Sequence, residues 1–399
     1  MIVVVCLNPA LDITHRVPAV TWGGVNRPTA VYARPGGKGL NVARTLRALG
    51  AEVLLTGLAG GITGAGIEAE LGRLGVSAAL TPIAGETRRT FTIAADAPAD
   101  GTGADNTGAD NTGADNTGAD NTDADNTVAG HTAVGDKSAV TAFYEAGPEV
   151  SAREFAEFRG QYEQALAGAA AVVLSGSLPT GLAAGTYATL VEIAAAAGVP
   201  AVLDTHGEAL RRGVAAGPAI VKPNLEELEN LTGRRLSAPR DGGGGSGGSR
   251  RSGGNGESGG GSPDLAAVTL AADQLRILGA QAVVASLGPQ GLLAATGDGR
   301  WQARAPEVAG NATGAGDAVV AALAYGLVLG RPWGERLRHA AALGAATVAA
   351  PVAGEFSDAD YARALSAVTV HRAAADRATT PGRDTAAHQD TTLDRNEVA

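Results

Sequence analysis

Residues 311–323, Asn-Ala-Thr-Gly-Ala-Gly-Asp-Ala-Val-Val-Ala-Ala-Leu, carry the strongest chemical signal in the chain. Gly314, Ala315 and Gly316 stand at the head of an apolar run with helical spacing, so the backbone N–H groups of a helix N-terminus are left bare for an anion. Asp317 puts a carboxylate in the same turn, where it repels a resting phosphate but can take a proton from a hydroxyl attacking one. Anion hole and base in one turn describe a phosphoryl-transfer centre. Taken alone, the stretch is equally compatible with a glycine-rich turn whose Asp caps a helix.

Only three of the 31 basic residues are lysines: Lys38, Lys137 and Lys222. A chain that uses arginine for generic positive charge specifies lysine for its chemistry, and a compact ammonium suits a phosphate. Lys38 lies in Pro35-Gly36-Gly37-Lys38-Gly39-Leu40-Asn41, followed by Val42, Leu46 and Leu49 at helical spacing. This second glycine-rich helix start is not a Walker A loop, because Gly39 follows the lysine where Ser or Thr is required. Close backbone approach with one lysine and one amide suits a polar, phosphorylated sugar. Lys222 opens Lys222-Pro223-Asn224, and Glu227 follows one turn later. Asn224 and Glu227 can face one ion or its waters, or form an N-terminal capping box; spacing alone favours the cap.

Other candidates flank the strands. Asp12 follows an apolar strand at 2–6, at the strand end where α/β folds bind ligands, and can hold sugar hydroxyls or simply face solvent. Arg88 and Arg89 follow Gly85-Glu86-Thr87, and one of the two can bind a phosphate through its fork of donors. Ser286-Leu287-Gly288-Pro289-Gln290-Gly291 after a strand at 281–286 is a candidate nucleotide edge.

The elements that must position these residues alternate. Strand signals at 52–57, 76–81, 171–174, 200–204, 219–222 and 281–286 are interleaved with helix signals at 64–74, 151–167, 185–197 and 264–278, which predicts a parallel sheet with helices on both faces. Helices at 333–349 and 357–366 complete the body. Residues 139–144 are a strand signal that can pair with 90–95. Between them, Gly103–Thr127 is five copies of a pentad, Gly-Ala-Asp-Asn-Thr with Asp first in the last copy, and almost nothing in it can be buried.

Composition bounds the function. The formal charge is −10, but eight aspartates and no basic residue lie between Asp96 and Asn126, so the rest is near neutral and nucleic-acid binding is not expected. Cys6 is the only cysteine, which excludes an intramolecular disulfide and a cysteine zinc site and makes the cytoplasm the expected setting. No apolar run is long enough to span a bilayer, so no membrane partner is expected.

Four motifs in this order, Gly36–Asn41, Lys222–Glu227, Ser286–Gly291 and Thr313–Asp317, resemble the PfkB, ribokinase-like carbohydrate kinases. The likeness covers roughly residues 1–95 and 138–366. Asn8-Pro9-Ala10-Leu11-Asp12, Gly24–Arg27, Gly85–Arg88 and Ser175-Gly176-Ser177-Leu178-Pro179 are most similar to the 1-phosphofructokinase and tagatose-6-phosphate kinase branch, although Arg89-Thr90 stands where that branch often has Thr-Asn. The resemblance implies a three-layer α/β/α fold with a mostly parallel central sheet and a small β-sheet lid. It implies one kinase domain over 1–370 with lid strands within 17–34, 88–95 and 139–145, while composition predicts disordered insertions at 98–136 and at the Gly/Ser-rich 238–263 and a mobile polar tail at 371–399.

The activity implied is ATP- and magnesium-dependent phosphorylation of a phosphorylated ketohexose, fructose 1-phosphate before tagatose 6-phosphate. A non-catalytic sugar-phosphate sensor on the same fold is the alternative of another class. Asp317 would be the base, with the N–H groups of Gly314, Ala315 and Gly316 as anion hole. Asp12, Gly36, Gly37, Lys38, Asn41 and Arg88 would hold the sugar phosphate. Lys222, Asn224, Ser286, Gly288 and Gly291 would serve ATP, and Asn224 and Glu227 magnesium through water. A homodimer through the lid is the assembly the resemblance allows.

Overall fold

The computed structural model describes residues 1–95, 139–237, 262–350 and 354–373. The 98–136 insertion, all but the last two residues of the 238–263 insertion, and the tail from 374 onward lie outside the described residues.

The chain opens with β1 (Ile2–Cys6), buried throughout. Its alternation sends Ile2, Val4 and Cys6 into one apolar cluster and Val3, Val5 and Leu7 into a second on the opposite face, the mark of a strand covered on both sides. After Asn8 and Pro9 the chain leaves the main sheet as β2 (Ala10–Val17) and β3 (Ala30–Gly36), then returns through α1 (Lys38–Ala48), β4 (Val53–Gly60), α2 (Gly61–Arg73) and β5 (Ser77–Ile83). Next come β6 (Arg88–Ala95), β7 (Ala139–Tyr144), α3 (Ala152–Leu166), β8 (Ala171–Ser175), α4 (Thr186–Ala196), β9 (Ala201–Asp204) and α5 (Gly207–Ala215). The remainder is β10 (Ile220–Val221), α6 (Leu225–Thr232), α7 (Leu265–Leu278), β11 (Val283–Ser286), β12 (Leu292–Thr296), β13 (Gly299–Arg304), α8 (Ala315–Val328), α9 (Trp333–Ala349), α10 (Asp358–Ala367) and β14 (Thr369–Ala373).

Ten strands form the main sheet in the order β14-β13-β12-β11-β10-β9-β8-β1-β4-β5. The pairings from β5 to β11 are parallel and those from β11 to β14 antiparallel. Helices α1, α2, α8, α9 and α10 cover one face, and α3 to α7 the other. This is the expected three-layer α/β/α arrangement. Chain order runs one way from β1 through β4 to β5 and the other way from β8 to β11, so the direction of winding reverses beside β1, where open sheets place a ligand crevice at the strands' carboxyl ends.

The second sheet has the order β3-β2-β6-β7. It starts earlier than the sequence reading: β2 begins at Ala10, so Asp12 rides on the small sheet rather than standing just beyond β1. At the other end, β14 pairs with β13 through Ala373, so strand continues past the boundary drawn at 370. Helix α5 is absent from the sequence reading because only Leu210 and Val214 mark its buried face, a pair too short to show a period.

Contact between α1 and β1 fixes where the loop before α1 sits. A Cβ on Gly39 would lie 2.6 Å from the Cys6 Cβ and 3.0 Å from the Val5 carbonyl oxygen, closer than atoms pack without backbone movement. Gly39→Ala is expected to cost about 1–3 kcal/mol by overpacking, read as a lower midpoint in urea denaturation.

Candidate active site

The N-termini of α1 and α8 converge at the carboxyl end of the main sheet. Each starts from a glycine that only a residue without a side chain adopts easily: Gly37 at φ 98° and Gly314 at φ 82°. Neither helix has a side-chain cap, so first-turn donors face the crevice. Of the three N–H groups expected to bind an anion, that of Ala315 donates to the Ala312 carbonyl at 3.0 Å. Gly314 and Gly316 have no carbonyl acceptor among the described residues.

Asp317 lies in the first turn of α8 and is 6% exposed. Asn41 on α1 donates through Nδ2 to Asp317 Oδ2 at 2.8 Å. Burial raises the carboxyl most, the nearby Asp204 carboxylate raises it further, and Asn41, Lys38 and Lys222 pull it back only in part, leaving it at about 7. A buried carboxyl poised near neutrality can hold or release a proton at physiological pH, which is what a general base requires.

Lys222 emerges from β10 with its ammonium almost fully buried, 3.2 Å from Asp204 Oδ1. A Cβ on Gly316 would stand 3.8 Å from Lys222 Nζ, so this cation lies beside the first turn of α8. Asp204 also accepts from the Ser175 hydroxyl at 3.3 Å. Lys38 faces the same place from α1, its Nζ 4.0 Å from Glu227 Oε1.

Asn224 and Glu227 form a reciprocal capping box at the start of α6, with both bonds at 2.7 Å. The cap uses Glu227 Oε2 and leaves Oε1 toward Lys38. Burial pushes the Glu227 carboxyl up, and Lys222 and Lys38 oppose that shift. No group of three His, Cys, Asp or Glu side chains able to hold a metal occurs among the described residues. One carboxylate oxygen beside an amide fits magnesium that keeps its waters and takes its other ligands from phosphates.

A second cluster lies on the small sheet. Asp12 accepts from the Thr90 hydroxyl and stands so close to β3 that a Cβ on Gly36 would fall 1.7 Å from its Oδ2. Burial raises the Asp12 carboxyl, against Thr90 and the guanidinium groups of Arg34, Arg88 and Arg44. Arg88 donates weakly to the Asn8 carbonyl at 3.5 Å, and its buried Nε has no hydrogen-bond partner. Arg89, the next residue and therefore on the other face of β6, is held by Glu145 at 2.8 Å and lies over Phe91. Arg88 is thus the arginine turned toward Asp12.

The sequence-derived residues fall into joined groups. Asp317, Asn41, Lys38, Lys222, Gly316 and Glu227 are linked by the contacts above, and Asp12, Gly36 and Arg88 form the neighbouring cluster. Ser286 bridges to Asn224 and donates to the Pro223 carbonyl at 3.0 Å. Gly288 and Gly291 shape the turn after β11, at φ 57° and 87°. Asp204, Arg34, Arg44, Thr90 and Asn8 escaped the sequence reading. The one available signal was an Asp ending the apolar strand Ala201-Val202-Leu203.

The sequence model described as pfkB family carbohydrate kinase matches residues 5–116 and 113–359. The fold is similar to phosphofructokinase-2 from Escherichia coli, solved in complex with potassium, at 26% identity over 92% of this chain and 98% of that one, TM-score 0.70. The same protein solved with fructose-6-phosphate gives 26% identity over 92% and 98%, TM-score 0.69. A Thermotoga maritima protein described as a possible 1-phosphofructokinase shares the fold at 23% identity over 94% and 100% of the two chains, TM-score 0.68.

The Asp317 carboxyl carries a stability consequence. Its native value of about 7 exceeds the ordinary value of 3.8, so between these limits the folded chain holds a proton the unfolded chain has lost, and stability falls as pH rises. Asp317→Asn removes that loss. The variant is expected to melt above the wild type at pH 8 and to approach it near pH 4, as measured by thermal unfolding across that range.

Proposed function

The chain belongs to the pfkB family of carbohydrate kinases, and from that premise we propose that it transfers the γ-phosphoryl group of ATP to the C6 hydroxyl of fructose 1-phosphate, giving fructose 1,6-bisphosphate. The observation that carries the reading is Asp317, a buried carboxylate poised near neutrality at the N-terminus of α8. Asp317 takes the hydroxyl proton as the new O–P bond forms. Lys222 and the N–H groups of Gly314 and Gly316 balance the charge on the moving phosphoryl group. Glu227 and Asn224 would hold magnesium through its waters, and the ion would further neutralise the ATP phosphates.

A substrate that already carries a phosphate is supported by the Asp12 cluster. Arg88 has an unpartnered buried Nε there, Arg34 adds positive charge, and Asp12 supplies acceptors for sugar hydroxyls. Tagatose 6-phosphate would use the same machinery. A cytoplasmic setting accords with a single buried thiol, and no helix among the described residues is long and apolar enough to cross a membrane.

ATP consumption measured with fructose 1-phosphate, tagatose 6-phosphate, fructose 6-phosphate and fructose is expected to be fastest with the first. Asp317→Asn should lower turnover by about 10²–10⁴-fold, and kcat/KM should decline as pH falls through about 7, where Asp317 takes up its proton. Binding of these sugar phosphates without turnover of any would replace the kinase by a sensor. Equal turnover of unphosphorylated fructose would remove Arg88 from phosphate recognition.

We also infer a homodimer through the small sheet. Alternation and register place Asp12, Arg34 and Thr90 on one face and Ile13, Val31, Phe91, Ile93 and Phe143 on the other. Val31 and Phe143 are 56% and 52% exposed, and Trp22 and Val25 in the connection between β2 and β3 are 71% and 78% exposed, exposed apolar side chains of the kind found at interfaces. A twofold pairing of this face buries it against itself. Light scattering should give a dimer for the wild type and a monomer for Val31→Asp/Phe143→Asp; a wild-type monomer, or a double variant that stays dimeric, removes the lid from the interface.

A further inference from the structure

We propose that Arg44 is a positioning residue for the transfer step, clamping the Asn41 amide so that its NH2 group holds one oxygen of Asp317 and leaves the other for the substrate hydroxyl. The inference rests on the reading of Asp317 as the base. Arg44 and Asn41 are three apart on α1, hence on one face of the helix. Arg44 Nη2 donates to Asn41 Oδ1 at 2.7 Å, and Asn41 Nδ2 donates to Asp317 Oδ2 at 2.8 Å. A guanidinium has donors and no acceptor. The oxygen of Asn41 must therefore face Arg44, and its NH2 group must face the carboxylate. The orientation of the amide follows from Arg44 rather than from chance.

The clamp is itself held. Arg44 Nη1 reaches the Pro35 carbonyl at 3.4 Å, tying the guanidinium to the glycine loop before α1. Gly354 closes the other side: a Cβ there would lie 3.5 Å from Arg44 Nη2 and 3.6 Å from Asn41 Oδ1. The Gly354 N–H donates to the Thr313 carbonyl at 3.1 Å, joining this lid over the clamp to the turn that starts α8. An ordinary surface arginine has none of these constraints. Burial and the neighbouring Arg34 charge hold the Arg44 guanidinium below the usual arginine range, and Glu355, Asp12 and Asp317 oppose that shift only in part.

The charged groups facing Asp317 are Lys38 and Arg44 from α1, Asp204 at the end of β9, and Lys222 after β10. From α9, Gly344 packs against Val319 and Ala315 without bringing a charge, and the hydroxyl of Ser175 on β8 is taken by Asp204. Removal of Arg44 takes away one cation and frees the amide to turn, and both changes disfavour the Asp317 carboxylate.

The test is Arg44→Met, with two readouts. In the kinase assay, kcat is expected to fall about 10²-fold, the scale of a misplaced reacting group, while KM for the sugar phosphate stays within about threefold. In a 13C NMR titration of aspartate carboxyl carbons, the signal assigned to Asp317 by its loss in Asp317→Asn should titrate about one unit higher than in the wild type. Arg47→Met, one helical turn from the clamp with its guanidinium on the Gly75 carbonyl, should leave both readouts unchanged. If Arg44→Met does not fold, Arg44→Gln carries the same expectations. A folded variant with an unchanged Asp317 titration overturns the clamp, as does one that changes KM alone. The NMR readout needs no turnover, so a wild-type chain inactive on every sugar phosphate would defeat the assignment of the base while the titration still judges the clamp.

Discussion

Two carboxylates buried in one another's field, Asp204 and Asp317, impose the charge arrangement on which the rest of the crevice depends. Burial disfavours the Asp317 carboxylate, and the charge of Asp204 disfavours it further. Lys222 stands 3.2 Å from Asp204, whereas the nearest partner of Asp317 is the Asn41 amide. An ammonium in contact favours the carboxylate form far more than an amide does. The two groups are thus driven apart in character: Asp204 is tied to a cation, and Asp317 is left to titrate. Placing two acids in different surroundings is a general way to assign one of them to proton transfer.

That arrangement requires backbone and side chains to approach more closely than most residues permit. Asp12 fits only because Gly36 has no Cβ, and α1 lies on β1 only because Gly39 has none. The glycines of the two loops therefore differ in purpose. Gly37 and Gly314 supply backbone angles that turn the chain into a helix, whereas Gly36 and Gly39 supply clearance. Substitution at the first pair strains a turn; at the second it displaces a charge or a helix.

Local order made much of this legible in the sequence. Helix starts, scarce lysines and the alternation of β1 lie within short windows, so the layers, the parallel sheet and the Asp317 turn could all be read from them. What escaped depends on residues distant in sequence meeting in space. Asp204 ends a strand like many others, and its importance comes from Lys222 on the neighbouring strand. Arg44 looks like a surface helix residue until Asn41, Pro35 and Gly354 surround it. Asn224 and Glu227 show a further limit: cap and ion site compete as readings of one spacing, yet the folded box uses one Glu227 oxygen and leaves the other facing Lys38. Sequence spacing cannot divide a carboxylate between two tasks.

The small sheet explains how a long repeat can interrupt the lid without erasing it. β6 and β7 pair antiparallel from Thr90 opposite Tyr144 to Ala95 opposite Ala139, so the chain leaves and re-enters at adjacent points. Closing such a connection costs entropy only logarithmically in its length, about 0.6 kcal/mol for each doubling. Register between the strands is maintained instead by side-chain alternation: Phe91 faces Phe143 on the outer surface, while Thr90 turns inward to Asp12. A slip of β7 by one residue would turn Phe143 to the face that holds Asp12 and carry Ala142 and Tyr144 to the outer one. The charge cluster on the inner face and the apolar side chains on the outer face therefore specify the same register.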